Sequence, residues 1–99
     1  MKVSAFYYLQ YPNDSPINPR DAATEMYVEV GGEGATTEHF EKTFSFFVYT
    51  AERVQRMIRD NGFVAGRSVI VVDCLTDDVM RGVLEKIVDN IAKCGTPVD

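Results

Sequence analysis

The sequence is poor in the residues that most often build metal and redox sites. Its 99 residues include one histidine, two cysteines and no tryptophan. Cys74 and Cys94 stand far apart, so neither a zinc-type nor a thioredoxin-type Cys-x-x-Cys pair is present. We therefore expect no metal and no cofactor, and two buried or half-buried thiols with no forced disulfide.

A long apolar run is also missing. The first residues, 1–6, do not form a signal peptide, and no segment approaches the ~20 apolar residues that cross a bilayer. These absences predict a cytoplasmic protein that has no membrane partner.

Basic residues are scarce. Ten Lys and Arg stand against fifteen Asp and Glu, which gives a net charge of −5. Nucleic-acid binding draws most of its affinity from Lys and Arg, so direct nucleic-acid binding is not expected.

One stretch of the chain has six carboxylates and no basic residue: Asp21, Glu25, Glu29, Glu33, Glu38 and Glu41. Such a concentration of negative charge favours a positively charged partner.

The remaining composition is that of an ordinary globular protein. Hydrophobic residues make up 45% and charged residues 25% of the chain. The length suits one domain with an unassisted core, and we take residues 1–99 as that domain.

Alternating apolar and polar residues predict three strands in the first half of the chain. The first runs over residues 3–11, and a proline-rich exposed loop follows at 12–22. A second alternation begins at Thr24 and a third covers residues 40–49. The glycine-rich segment 31–34 joins the last two as a hairpin.

The numbering of this hairpin fixes which residues share a face. Antiparallel partners have residue numbers of constant sum, and only an even sum places the even-numbered apolar residues of both strands together. The odd-numbered residues then also share a face. That face would carry Glu25, Tyr27, Glu29, His39, Glu41 and Thr43, with Phe47 and Tyr49 further along. An acidic surface bordered by aromatic residues is therefore expected.

The second half of the chain predicts a helix, a strand and a longer helix. Thr50 is the expected N-cap of the first helix and Gly62 its left-handed stop. Residues 68–74 are almost continuously apolar, which is typical of a strand buried on both faces. Thr76 is the expected N-cap of the last helix, which ends at Gly95 and Pro97. The order βββαβα predicts an α+β domain, a four-stranded mixed, largely antiparallel sheet with two helices on one face.

Catalysis finds little support in the sequence. His39 is the only histidine, and Ser45, the nearest serine on its face, would be about 20 Å away at the rise of a strand. Asp77 and Asp78 suit the first turn of a helix, and Asp73 can cap it or pair with an arginine. We expect a protein that is not an enzyme.

Two segments resemble a known family. Residues 38–50 form a Phe-x-Phe-x-Val type strand that leads into a short helix, and Gly66-Arg67 opens the next strand before a terminal helix. This pattern is similar to that of small immunity proteins from bacterial polymorphic-toxin and contact-dependent growth inhibition systems. The resemblance implies a protein that binds and blocks a toxin domain, often a nuclease. Toxin-binding residues vary within such families, so no contact residue is carried over.

The acidic surface and the resemblance lead to one hypothesis. An acidic face could occupy the basic cleft of a nuclease toxin. The expected toxin-binding residues are Glu25, Tyr27, Glu29, Glu33, Glu38, Glu41, Asp14 and Asp21. A structural or regulatory module that forms a homodimer through the same aromatic face remains the alternative.

Overall fold

A five-stranded sheet and its helices form the protein in the computed structural model, which describes residues 1–11, 18–32, 34, 36 and 39–98. The strands are β1 (Lys2–Tyr8), β2 (Ala23–Gly31), β3 (Lys42–Thr50), β4 (Val69–Val72) and β5 (Thr96–Val98). The helices are α1 (Ala51–Asn61), α2 (Asp77–Ile87) and α3 (Ile91–Cys94), with a 3₁₀ turn at Val88–Asn90 between the last two. The α+β class is confirmed.

The hairpin of β2 and β3 has the register that the alternation predicts. Met26 lies opposite Phe46 and Val28 opposite Phe44, so the residue numbers of each pair have an even sum. Strand β1 pairs with the other side of β2 in the antiparallel sense, with an irregularity between Val3 and Ala5. The predicted division into an even-numbered apolar face and an odd-numbered face is confirmed.

The prediction of four strands is wrong, because the chain adds a short strand after the last helix. β5 pairs antiparallel with β3 over Thr43–Ser45, while β4 pairs parallel with β3 over Phe47–Thr50. A three-residue strand that contains Pro97 carries little strand signal, since proline cannot donate a hydrogen bond to the sheet. Its pairing depends on the turn of the chain at Gly95, which the sequence pattern does not encode.

The core lies between one face of the sheet and the helical segment that begins with α2. Fully buried side chains of that face include Met26, Val28, Val30, Phe44, Phe46 and Val48, and α2 and α3 add Met80, Leu84 and Ile91. Helix α1 adds no buried side chain. A core of this composition is enough to position the strands, because the free energy of burial scales with the apolar area removed from water.

The expected helix ends are confirmed. The Thr50 hydroxyl accepts a hydrogen bond from the Arg53 N–H at the start of α1, and the Thr76 hydroxyl accepts one from the Val79 N–H at the start of α2. Gly62 ends α1 in the left-handed conformation with φ of 90°. These caps satisfy N–H groups that the helix itself leaves without partners.

Strand β4 does not have the burial that its sequence predicts. It lies at the edge of the path β1-β2-β3-β4, and Val71 is 52% exposed, whereas Val72 is buried. The prediction of a strand buried on both faces is therefore wrong. A run of β-branched residues indicates extended structure, but it does not show whether anything covers the second face.

Both cysteines are free thiols. Cys74 is half-buried as expected, whereas Cys94, at the end of α3, is exposed. In the part of the chain that the structure describes, no helix has the length and apolar character needed to cross a membrane.

Candidate functional site: the open face of the sheet

One face of the sheet carries the odd-numbered residues of the central hairpin. Residues that are partners in register lie on the same side of a sheet, so this side also includes partners from the other three strands. We call it the open face. Its members are Lys2, Ala5, Tyr7, Ala23, Glu25, Tyr27, Glu29, Gly31, Thr43, Ser45, Phe47, Tyr49, Val69, Val71, Thr96 and Val98.

Large apolar side chains remain exposed on the open face. Tyr7 is 40%, Phe47 44% and Val71 52% exposed. They lie on three different strands, so the exposed apolar area spreads across the width of the sheet. Scattered apolar residues are ordinary on a protein surface, but several on one sheet face are typical of an interaction site.

The charges of the open face are mainly negative. Glu25 and Glu29 are its only carboxylates, and its one basic member is the exposed Lys2, which lies opposite Gly31 on the edge strand of the sheet. Glu25 is half-buried and lies directly opposite Phe47 on the neighbouring strand. Partners in register have Cβ atoms about 5 Å apart, so this carboxylate adjoins an aromatic ring.

Glu29 is the most enclosed carboxylate among those predicted contact residues that the structure describes. It is 7% exposed, and its Oε1 atom has no hydrogen-bond partner among the described residues. Burial, and then the Glu29 carboxylate as hydrogen-bond acceptor and as a negative charge, raise the pKa of Tyr7 to about 12. An unpartnered carboxylate oxygen inside a protein is costly, and an incoming hydrogen-bond donor would relieve that cost.

Asp21 lies apart from these two glutamates, just before β2, and it has cationic partners. Arg53 Nε lies 2.7 Å from Asp21 Oδ1, and Arg56 donates to both carboxylate oxygens at 2.7 and 3.0 Å. Hydrogen bonds from Arg53, and the charges of both arginines, hold the pKa of Asp21 below its ordinary value. The negative charge of Asp21 is therefore matched within the chain.

The remaining predicted contacts are not gathered on the open face. Glu41 lies just before β3 and is exposed, and its N–H donates to the carbonyl oxygen of Val30. Asp14, Glu33 and Glu38 lie outside the described residues. The structure thus brings together Glu25, Tyr27 and Glu29, a smaller acidic set than the sequence suggests.

The residues considered for catalysis have structural partners. Asp73 forms a 3.1 Å ion pair with Arg20, and both side chains are largely exposed. Tyr8 donates a 2.8 Å hydrogen bond to Asp77, and burial together with that carboxylate raises the pKa of Tyr8. His39 is exposed. Among the described residues, no three metal-ligating side chains come close enough to hold an ion.

Sequence reasoning did not place three members of the open face. Tyr7 was one of an alternating set in the first strand, but its face could not be known without the register against β2. Val69 and Val71 lay in a run that predicted burial on both sides. The available signal was the alternation of β1, in which Phe6 and Tyr8 take the core side and leave Tyr7 on the other.

No family model matches the chain, and searches of curated proteins and of solved structures find no similar protein. Function is therefore inferred from the chemistry of the open face and from the family pattern noted above.

Proposed function

We propose that this protein is a non-enzymatic binding module that docks a cationic partner protein on its open face. The observation that carries the proposal is the combination of exposed Tyr7, Phe47 and Val71 with two carboxylates, while the single basic member of that face, Lys2, lies on the edge strand. The family pattern gives the partner a class, a bacterial toxin domain. The protein would then act as an immunity protein in the cytoplasm of the producing cell.

The chemistry of the face defines its partner. Aromatic side chains that lose water on binding supply most of the affinity at protein interfaces. Glu25, beside Phe47, would pair with a partner Lys or Arg, and the unpartnered oxygen of Glu29 would accept a donor that enters between the side chains. The net charge of −5 would speed the approach of a basic domain.

The mechanism differs from a simple imitation of nucleic-acid charge. Asp21 is already paired with two arginines, and Glu29 is nearly buried. An interface with two central carboxylates and several apolar anchors fits a partner surface in which basic residues surround an apolar patch. Binding would block the toxin by covering that surface.

The test requires a basic toxin-like domain as partner, which is sought in the reading frame next to that of this protein. Its binding is measured by biolayer interferometry for the wild type and for Phe47→Ala. Loss of a central aromatic contact should weaken binding by about 2 kcal/mol, roughly thirtyfold in Kd. The matched control is Ile58→Ala, because Ile58 on α1 is 46% exposed and lies outside the face. Equal affinities for both variants and the wild type would refute the docking surface.

The electrostatic part is tested separately. Glu25→Lys should slow association and flatten its dependence on salt, because a central carboxylate is reversed. Glu52→Lys on α1 changes the net charge equally at an exposed site outside the face. The proposal predicts a larger loss of affinity for Glu25→Lys; identical losses would mean that only net charge matters.

A homodimer is the second candidate, favoured by the exposed apolar residues of the same face. Two copies joined through their open faces would bring four carboxylates into one interface, against only one basic residue per copy, Lys2 on the edge strand. This opposes self-association. Sedimentation equilibrium at micromolar concentration decides the matter: a dimer that persists in high salt and dissociates with Phe47→Ala would support the homodimer.

A further inference from the structure

A second candidate site lies away from the centre of the open face, where two strands begin side by side. β4 starts at Val69 opposite Phe47, and β5 starts at Thr96 opposite Ser45, both on the same edge of β3. They run in opposite directions from this point. The residues before each strand, together with the end of α3, surround a cavity of about 380 Å³.

The cavity is lined by cations in an acidic protein. Arg67 and Lys93 both line it, and none of its described lining residues is Asp or Glu. Three other arginines have carboxylate partners: Arg20 pairs with Asp73, and Arg53 and Arg56 pair with Asp21. Neither Arg67 nor Lys93 forms an ion pair with a described residue. Two unmatched cations beside one cavity predict an anionic occupant.

Hydroxyl groups add hydrogen-bond donors to the same cavity. Ser68 Oγ and Thr96 Oγ1 lie 2.7 Å apart, and whichever hydroxyl accepts keeps its own hydrogen for a third group. Ser68 has φ of 57°, a left-handed conformation that serine seldom adopts. Backbone conformations of this kind concentrate at binding sites.

Part of the cavity wall is formed at Gly95, where the backbone passes close to the ring of Phe46. A Cβ atom at Gly95 would lie 2.7 Å from Phe46 Cζ, so only glycine lets the chain pass this near to the core. That close passage brings Thr96 to the hydroxyl of Ser68. The donors are therefore positioned by the packing of the core.

We propose that this cavity binds a small phosphate-type oxyanion, either inorganic phosphate or a phosphate monoester. Arg67 and Lys93 supply positive charge and N–H donors, and the Ser68–Thr96 pair supplies an O–H donor. Guanidinium and ammonium groups that converge with a hydroxyl are suited to a multiply charged oxyanion. Thr96 belongs to the open face, but Arg67, Ser68 and Lys93 do not, and phosphate binding here does not require a docked partner.

The proposal is tested by titrating ¹⁵N-labelled protein with inorganic phosphate at constant ionic strength. Saturable amide shifts are expected for residues 67–69 and 93–96. Arg67→Gln and Lys93→Gln should each weaken binding at least about tenfold, as expected for loss of a charged hydrogen bond. Arg59→Gln, which removes an exposed arginine from the last turn of α1, is the matched control and should leave the affinity unchanged.

A parallel variant separates binding from folding. Ser68→Gly removes the hydroxyl and relieves the left-handed conformation, so stability should be kept or raised while phosphate binding weakens. Tighter binding of glycerol phosphate than of inorganic phosphate would identify a monoester site, and the reverse a free-phosphate site. Shifts that do not saturate, equal loss with Arg59→Gln, or equal affinity for acetate would overturn the proposal.

Discussion

The two faces of the sheet are built from alternate residues of the same strands, yet they differ in nearly every physical property. The even-numbered face is covered by α2 and α3, and Phe46 on it is almost completely buried. The odd-numbered face leaves the adjacent Phe47 44% exposed. Both faces carry aromatic residues, so residue type alone does not decide burial. The difference shows that the core face is covered by helices, whereas the open face leaves Phe47 in contact with solvent.

The largest expected effect on stability comes from replacing each of the adjacent residues Phe46 and Phe47 with alanine. Phe46→Ala should lower the free energy of unfolding by about 3–5 kcal/mol, because it leaves a cavity in the core. Phe47→Ala should cost no more than about 1.5 kcal/mol, since less apolar area leaves water at that position. Urea denaturation measures both variants. A Phe47→Ala loss as large as that of Phe46→Ala, and dependent on protein concentration, would mean that a second copy covers the open face.

Two glycine-to-alanine variants test how closely the chain packs against the buried face of the sheet. In Gly95→Ala the new methyl group would overlap the Phe46 ring, and the cost should be roughly 1–3 kcal/mol from overpacking. Gly82→Ala in α2 is the control, because no atom lies within 4 Å of its added Cβ. That change should raise stability by roughly 0.5–1 kcal/mol through helix propensity. Thermal unfolding distinguishes the two, and a neutral Gly95→Ala would contradict the close contact.

Smaller changes in stability are expected for Val71 and Val72, which are adjacent in β4 and lie on opposite faces of the sheet. Val72→Thr places a hydroxyl on the buried side of the strand and should cost roughly 1–2 kcal/mol, unless the hydroxyl finds a partner. Val71→Thr makes the same change on the open face and should alter stability by less than about 0.5 kcal/mol. Chemical denaturation of both variants gives the measurement. Equal losses would show that Val71 is covered in solution.

The sequence predicted the helix caps and the parity of the central hairpin correctly, but it did not predict β5 or the exposure of Val71. Helix caps and hairpin parity depend on neighbours in the chain, and Thr50, Gly62 and Thr76 were all placed correctly. β5 and the exposure of Val71 depend on which distant segment reaches the edge of β3, and local pattern carries no such information.

The candidate site shows the same division between local and distant information. Alternation placed Glu25, Tyr27 and Glu29 on one face, and the described structure agrees. The pairing of Asp21 with Arg53 and Arg56 could not be seen, because more than thirty residues separate the partners. Arg53 and Arg56 are three residues apart on α1, and that spacing by itself indicates only a polar helix face. A surface that appears acidic in sequence can thus be partly neutralised by a distant element.

The smallest expected effect concerns adjacent tyrosines on opposite faces. The pKa of Tyr7 on the open face is raised to about 12, chiefly by burial and then by Glu29, and the pKa of Tyr8 on the core face is raised by burial and Asp77. Glu29→Gln should lower the Tyr7 pKa only in part, because burial remains, and it should leave Tyr8 unchanged. Asp77→Asn should do the reverse. A titration followed by ¹³Cζ tyrosine signals resolves the two residues.

The same titration predicts how stability depends on alkaline pH. A tyrosine whose pKa is higher in the folded than in the unfolded chain contributes stability that is complete below pH 10, its ordinary pKa. That contribution falls as the pH rises from 10 through about 12 for Tyr7. At neutral pH this contribution is therefore fully present and does not vary with pH, and Glu29→Gln should make the alkaline loss shallower. If that variant shifted the Tyr8 signal and left Tyr7 unchanged, the assignment of the two tyrosines to opposite faces would be wrong, because only Tyr7 shares a face with Glu29.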